Sequence, residues 1–314
     1  MKEIISKKHN LKFYLSLVIS CLLLLSLATL FLREFLFHSD NNYLYPRHYF
    51  ILSVSVLMYL FVAYTVYAYF RNAPRIKVNS KSITFNTEEF LWTDIVHIEL
   101  LGKRNFPFFG KFYMEAATFS FKSGANKVLF DDMYSNTWEI KSFIKKAVID
   151  KQDFLETISE ETENNLSDDE YCDTFKGYQL TSLRGLILWG LLGSFLAMIL
   201  LSKRQVNIDM VFFILGISFL VFIIFSYQMH YFLVSNQYLI VRNHNLFWIK
   251  RDFKLSNIRE VVFETQGKNA ISLRVITKNF KTNLYPAGTL KINTWRALKN
   301  KLESIEINVR NECI

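Results

Sequence analysis

Four long runs of uncharged, mostly apolar residues constrain this sequence more than any other feature. They cover residues 13–32, 49–70, 185–202 and 210–229. Because an α-helix rises about 1.5 Å per residue, each run can cross most of a hydrocarbon layer about 30 Å thick. Core helices of a soluble protein are the alternative, which the arrangement of the runs as two close pairs disfavours. We therefore predict four transmembrane helices in two hairpins.

The composition is consistent with a membrane protein that also has folded soluble parts. Hydrophobic residues make up 51% of the 314 residues, slightly above the share in soluble proteins. Charged residues make up 21%, and there are only 10 Gly and 4 Pro, which excludes a collagen-like or low-complexity chain. Three cysteines are too few for a disulfide-stapled secreted scaffold.

The positions of lysine and arginine predict the orientation of the helices. Twelve of these cations flank the runs on one side, and four lie in the two hairpin loops. Since cytoplasmic loops carry the excess of Lys and Arg, both termini and both soluble segments should be cytoplasmic. The twelve are Lys2, Lys7, Lys8, Lys12, Arg71, Arg75, Lys77, Lys176, Arg184, Arg242, Lys250 and Arg251; the four are Arg33, Arg47, Lys203 and Arg204.

The two halves of the chain resemble each other, which indicates an internal duplication. Residues 78–83 match 234–239, residues 93–95 match 256–258, and residues 136–138 match 293–295. The offset is 156, then 163, then 157. The second copy therefore has an insertion opposite the segment between Phe90 and Thr93, and we predict a longer hairpin at 244–251.

Each soluble copy reads as short antiparallel strands followed by one helix, with β-branched and aromatic residues between Asn, Ser and Gly turns. Asn136 or Thr137 is expected to cap the first helix. Trp138 and Trp295 are expected to plug equivalent barrels. The predicted strands are 75–79, 82–85, 95–100, 112–121 and 127–130, then 232–234, 238–241, 258–263, 271–276 and 280–284; the predicted helices are 137–148 and 293–305.

In this layout, and in the paired positions Thr93-Asp94-Ile95 and Ser256-Asn257-Ile258, the chain resembles the bacterial pleckstrin-homology-like (PH-like) membrane proteins. The resemblance implies an α+β membrane protein with four transmembrane helices and two small PH-like β-barrel domains, each closed by a C-terminal helix. It implies a multi-pass protein of the bacterial inner membrane and no shared catalytic residues. The expected divisions are hairpin 13–70, domain 71–149, acidic linker 150–183, hairpin 184–229 and domain 230–314.

The sequence holds no catalytic, metal-binding or phosphate-binding motif. The adjacent Asp131 and Asp132 come nearest to a carboxylate pair, and we expect them in a solvated loop because neighbouring side chains diverge. We predict a non-enzymatic protein without cofactor or metal. An accessory component of a transport or channel complex, and a hydrolase without a recognisable motif, stay as alternatives, although uncharged spans disfavour charge-coupled transport.

Charge is distributed unevenly between the two soluble segments. Residues 71–184 have a net charge of −3, whereas residues 230–314 have +8. A basic domain tethered to a membrane meets anionic lipid headgroups before it meets nucleic acid, so lipid is the expected partner. Protein partners and the oligomeric state stay open. The acidic stretch within 150–173 has too few apolar residues to fold alone, and we expect it to be mobile.

Two segments combine aromatic residues with cations in the way expected of loops that touch a membrane surface. The alternative, that their aromatic rings pack into the domain cores, stays open. The candidates for lipid contact are Lys103, Arg104, Phe106, Phe108, Phe109 and Lys111 in the first copy, and Phe247, Trp248, Lys250 and Arg251 in the second.

Overall fold

The computed structural model describes residues 3–40, 45–108, 110–151, 172–201, 208–265 and 270–313. The chain divides into two compact units, Met1–Glu156 and Thr157–Ile314. Most of the acidic linker lies outside the described residues, so its predicted mobility stays a prediction.

Three helices among the described residues are long and apolar enough to cross a membrane. They span Asn10–His38, Pro46–Asn72 and Leu183–Leu200, and a further apolar helix, Ile214–Ser226, is shorter. Three of the four runs therefore form helices with the length and composition of a membrane span. The helices are α1 (Ser16–Asp40, preceded by a wider turn at Asn10–Leu15), α2 (Pro46–Asn72), α4 (Leu183–Leu200) and α5 (Ile208–Ser226).

Unit 1 contains two small sheets and the helix α3 besides α1 and α2. The first sheet has the order β1-β2-β3-β4, and in the second β7 pairs with β5, β6 and β8; all these pairs are antiparallel. The elements are β1 (Ile4–Ile5), β2 (Ile76–Val78), β3 (Ser82–Phe85), β4 (Glu88–Leu91), β5 (Ile95–Glu99), β6 (Lys103–Phe108), β7 (Gly110–Phe121), β8 (Asn126–Phe130) and α3 (Thr137–Ile144).

Unit 2 has sheets of order β12-β11-β10-β9 and β15-β14-β13-β16, antiparallel except for the β13–β16 pair. Strands of both sheets and α6 share one apolar core, which includes Phe232, Phe263 and Trp295. The elements are β9 (Asp173–Phe175), β10 (His230–Val234), β11 (Tyr238–Asn243), β12 (Lys250–Lys254), β13 (Ile258–Glu264), β14 (Ser272–Thr277), β15 (Thr282–Pro286), α6 (Ile292–Ser304) and β16 (Val309–Asn311).

In each unit a strand that precedes the helix hairpin pairs with the strand that follows it. β1 pairs with β2, and β9 pairs with β10. The predicted domains 71–149 and 230–314 omit these two strands, because a segment of two or three residues carries no periodic signal of its own. The soluble part of each unit is thus built from chain on both sides of its helix hairpin.

The predicted longer hairpin in the second half is confirmed. The β3–β4 turn consists of residues 86–87, whereas the β11–β12 loop covers 244–249. The extra residues therefore precede β12, the counterpart of β4 in chain order, and do not lie opposite the segment between Phe90 and Thr93 as expected.

The two tryptophans do not occupy equivalent positions. Trp295 is the fourth residue of α6 and is 1% exposed, whereas Trp138 is the second residue of α3 and is only half-buried. Asn136 does not cap α3, because its side chain instead accepts from the Lys7 N–H and donates to the Ile5 carbonyl. The prediction that both tryptophans plug equivalent barrels is wrong for Trp138. The helix α6 begins one residue before its Asn-Thr-Trp segment, whereas α3 begins at the Thr of its own, so the two rings differ in position along their helices.

Candidate membrane-contact surfaces

The β11–β12 loop is fastened to the last residue of α5. Asn243 donates through Nδ2 to the Ser226 carbonyl at 2.8 Å, and Asn245 donates to the Ser226 hydroxyl at 2.8 Å. The Asn243 side-chain oxygen also accepts from the backbone N–H groups of Asn245 and Leu246, at 3.0 Å each. These bonds satisfy polar groups at the helix C-terminus and fix the loop beside it.

Beyond this attachment the loop exposes two aromatic rings on the protein surface. Phe247 is 83% exposed and Trp248 is 60% exposed, although the preceding Leu246 is buried. Tyr227, at the end of α5, is also exposed, as is Tyr178, just before α4. We call Tyr178, Tyr227, Phe247 and Trp248 the junction face; exposed aromatic residues beside the ends of apolar helices are typical of a membrane interface.

Cations accompany the junction face. Lys291 lies 5.2 Å from the centroid of the Tyr178 ring. Lys250 is more than half exposed and lies 3.9 Å from Asp252, a carboxylate that Arg242 binds more closely at 2.7 Å. Arg251 is exposed. The predicted Phe247, Trp248, Lys250 and Arg251 are thus accessible on one loop and the strand that follows it.

Close backbone packing holds the segment before α4 against the loop before α6. A Cβ atom at Gly177 would lie 2.0 Å from the Thr289 carbonyl oxygen, so no larger residue fits there without movement. Gly288 donates to the Gln228 carbonyl at 2.8 Å, directly after α5. Gln179 also donates to the Asn245 side chain. Both ends of the α4–α5 hairpin are therefore fixed to the soluble part of unit 2.

Two histidines beside this junction are held neutral. Burial lowers the pKa of His230 to about 4, although its ring N–H donates to the Pro286 carbonyl at 2.8 Å. Burial, and then the charge of Lys176, lowers the pKa of His244 to about 4. His230 lies in β10 and His244 lies in the loop after β11, so both are outside the apolar helices.

We expect unit 2 to lose stability as the pH falls from about 6.5 to about 4. In this range the two histidines bind protons in the unfolded chain but not in the folded unit. Complete protonation costs about 3 kcal/mol for His230, and less for the more exposed His244. Thermal denaturation of the full chain at pH 7 and pH 4.5 measures the loss. His230→Gln should reduce it, whereas an unchanged pH dependence in that variant contradicts the assignment.

The first candidate segment forms the β6–β7 hairpin, and its aromatic residues separate into two environments. Phe106 is 2% exposed and packs at 5.7 Å on Tyr69 and at 5.2 Å on Phe130, so its assignment as a lipid contact is wrong. Phe108 is half-buried and lies against α2, with its ring stacked on Tyr64 at 5.8 Å. Phe109 lies outside the described residues.

Among the cations of this hairpin, Arg104 makes contacts within unit 1. Arg104 forms an ion pair with Glu99 and donates to the Thr118 hydroxyl at 2.8 Å, so it points along the sheet. Lys103 is half-buried. The side chain of Lys111 lies outside the described part of the chain. Arg104 is therefore a structural residue of the hairpin base.

The adjacent aspartates form structural ion pairs. Asp131 and Asp132 are buried, not solvated as expected. The Asp131 carboxylate lies 2.5 Å from Lys141 Nζ, and the Asp132 carboxylate lies 2.6 Å from Lys12 Nζ. Elsewhere in the described segments no group of three or more His, Cys, Asp or Glu side chains is placed to hold a metal ion.

No protein-family model and no curated protein matches the chain.

Proposed function

We propose that this protein is a non-enzymatic, four-span protein of the bacterial inner membrane whose cytoplasmic PH-like modules bind the membrane surface, with anionic lipid headgroups as the ligand of unit 2. The observation that carries the proposal is the β11–β12 loop. It exposes Phe247 and Trp248 while its own asparagines bind the end of α5.

The fourth span of the proposal is α5. Its 19 residues, Ile208–Ser226, rise about 28 Å, close to the hydrocarbon thickness. Four spans, with the excess of Lys and Arg outside the hairpin loops, put both termini and both soluble parts on the cytoplasmic side.

The shared order of elements supports duplication and a PH-like fold. Each unit has a strand, a helix hairpin, three antiparallel strands, a short 3-10 turn, further antiparallel strands and a helix. The 3-10 turns are Trp92–Asp94 and Leu255–Asn257, which are the positions the sequence offset of 163 pairs. A sheet pair closed by a C-terminal helix is the arrangement that the family resemblance implies.

Electrostatics favours anionic lipid at the junction face. Residues 230–314 have a net charge of +8. A Lys or Arg close to an anionic surface contributes about 1 kcal/mol to binding. The exposed Lys250 and Arg251 begin two residues after Trp248, so cations lie close in the chain to the exposed rings.

A fluorophore in the β11–β12 loop tests the proposal. The full chain, with Cys21, Cys172 and Cys313 replaced by serine and Phe247→Cys labelled, is reconstituted in neutral or anionic vesicles. Emission should shift to the blue more strongly in anionic vesicles, and salt at about 1 M, which shortens the screening length to about 3 Å, should reverse the difference. Lys250→Glu with Arg251→Glu should abolish it.

The matched control is Lys278→Glu with Lys281→Glu. Both lysines are exposed and flank the β14–β15 turn. The Met229–Ala287 bridge, which lies beside α5, is at the other end of this strand pair. The control should keep the anionic shift. Equal spectra in neutral and anionic vesicles contradict lipid-headgroup binding and leave a protein partner as the ligand of the junction face.

A further inference from the structure

The β6–β7 hairpin projects beyond the sheet from which it starts. β7 pairs with β8 only from Ala116 onward, while its first part, Gly110–Glu115, pairs with β6 alone. We call residues 103–108 and 110–115 the arm. In unit 2 the counterparts of β5 and β7 are β13, which ends at Glu264, and β14, which begins at Ser272.

A fixed bend directs the arm. Gly102 has a φ of +146°, which favours glycine, and its N–H donates to the buried Glu115 carboxylate at 2.7 Å. Ala116 donates in turn to the Gly102 carbonyl at 2.8 Å. These two hydrogen bonds fix the chain where the arm begins. The arm consequently leaves the sheet at a defined angle and lies along α2.

The arm reaches the part of α2 that is uncharged. The Phe108 ring contacts Phe61, Tyr64 and Tyr69 at 6.2, 5.8 and 5.9 Å. These three residues precede Arg71, the first charged residue after the uncharged run, by about 15, 10 and 3 Å along the helix axis. Tyr64 is itself 42% exposed and faces outward on α2. Phe108 therefore lies on the side of Arg71 that is expected to be within the bilayer.

Two polar groups near the tip of the arm have partners within the protein. Pro107 has no N–H group, and its carbonyl accepts from the Asn72 side chain at 2.8 Å. The Asn105 side chain accepts from the Phe112 N–H at 3.1 Å. Because backbone groups without partners are costly in an apolar medium, these bonds suit the arm to the edge of a hydrocarbon layer.

We propose that the arm inserts its tip into the cytoplasmic leaflet beside α2 and contacts lipid acyl chains. This inference rests on the proposed function in one respect, since α2 must span the bilayer. The proposed partner of the arm is the uncharged acyl chains, whereas that of the junction face is the anionic headgroups. The attachment of unit 1 is accordingly independent of headgroup charge and salt.

Site-specific quenching tests the proposal on the full chain in nanodiscs of neutral phosphatidylcholine. Single-cysteine variants, with the three native cysteines replaced by serine, carry a fluorophore at Pro107→Cys, at Tyr64→Cys on α2, or at Val96→Cys. Val96 is the matched control, because it lies on β5, the strand before the bend, and is 67% exposed. Quenching by aqueous iodide and by a nitroxide on the upper acyl chain is measured at each position.

We expect the fluorophore at position 107 to be quenched like the one at position 64. Both should show severalfold less quenching by iodide, and severalfold more by the nitroxide, than the fluorophore at position 96. Adding Phe108→Ser should return position 107 to the values of position 96. Strong iodide quenching at 107 with protection at 64 overturns the insertion of the arm alone. Strong iodide quenching at 64 overturns the span of α2, and with it the proposed function.

Discussion

Trp295→Ala should lower the stability of unit 2 by about 3 to 5 kcal/mol, the cost of removing a large aromatic side chain from a closed core. Trp295 is 1% exposed, and its ring lies 5.6 Å from both Phe232 and Phe263. It joins α6 to strands of both sheets, so the cavity affects the whole unit. Hydrogen exchange of β13 and β14 amides in the full chain measures the local free energy of opening.

Trp138→Ala is the matched control for this change. The half-buried Trp138 lies outside the apolar row of α3, which is formed by Ile140, Phe143 and Ile144. Its removal should cost clearly less, as judged by exchange in β7 and β8. Equal losses in the two units contradict the difference in helix register.

Lys141→Met should destabilise unit 1 by about 3 to 5 kcal/mol, because it leaves the buried Asp131 carboxylate without its cation. The side chains of Lys141 and Asp131 are 0% and 1% exposed, and Nζ lies 2.5 Å from the carboxylate. Desolvation of a single charge is costly, whereas removal of both charges is tolerated better. Denaturation of the full chain, followed through exchange in β7, gives the loss.

The double variant Asp131→Asn with Lys141→Met provides the control, and it should recover much of the stability. A double variant as unstable as Lys141→Met contradicts the ion pair as the cause. Lys127→Met breaks the exposed pair with Glu88 and should cost less than about 1 kcal/mol, as surface pairs do.

Sequence patterns determined the elements whose signal is local. The uncharged runs located the apolar helices. Each of the ten predicted strands starts within two residues of an observed strand, because β-branched and aromatic residues favour extended structure wherever a sheet covers them. The change in offset from 156 to 163 revealed a longer hairpin in the second half, since counting residues between matched segments needs no knowledge of contacts.

Only the tertiary structure decided the facing of individual side chains and the pairing of distant segments. Phe106 and Phe108 have the same chemistry, yet one lies in the core and the other on α2, because the bend at Gly102 sets where the arm goes. β1 and β9 are recognisable only through partners more than fifty residues away. The sequence predicted Asp131 in a solvated loop, and its burial against Lys141 follows from a contact that forms only when α3 packs. Residue type fixes what a side chain prefers, but its neighbours come from elsewhere in the chain, and these neighbours set its environment.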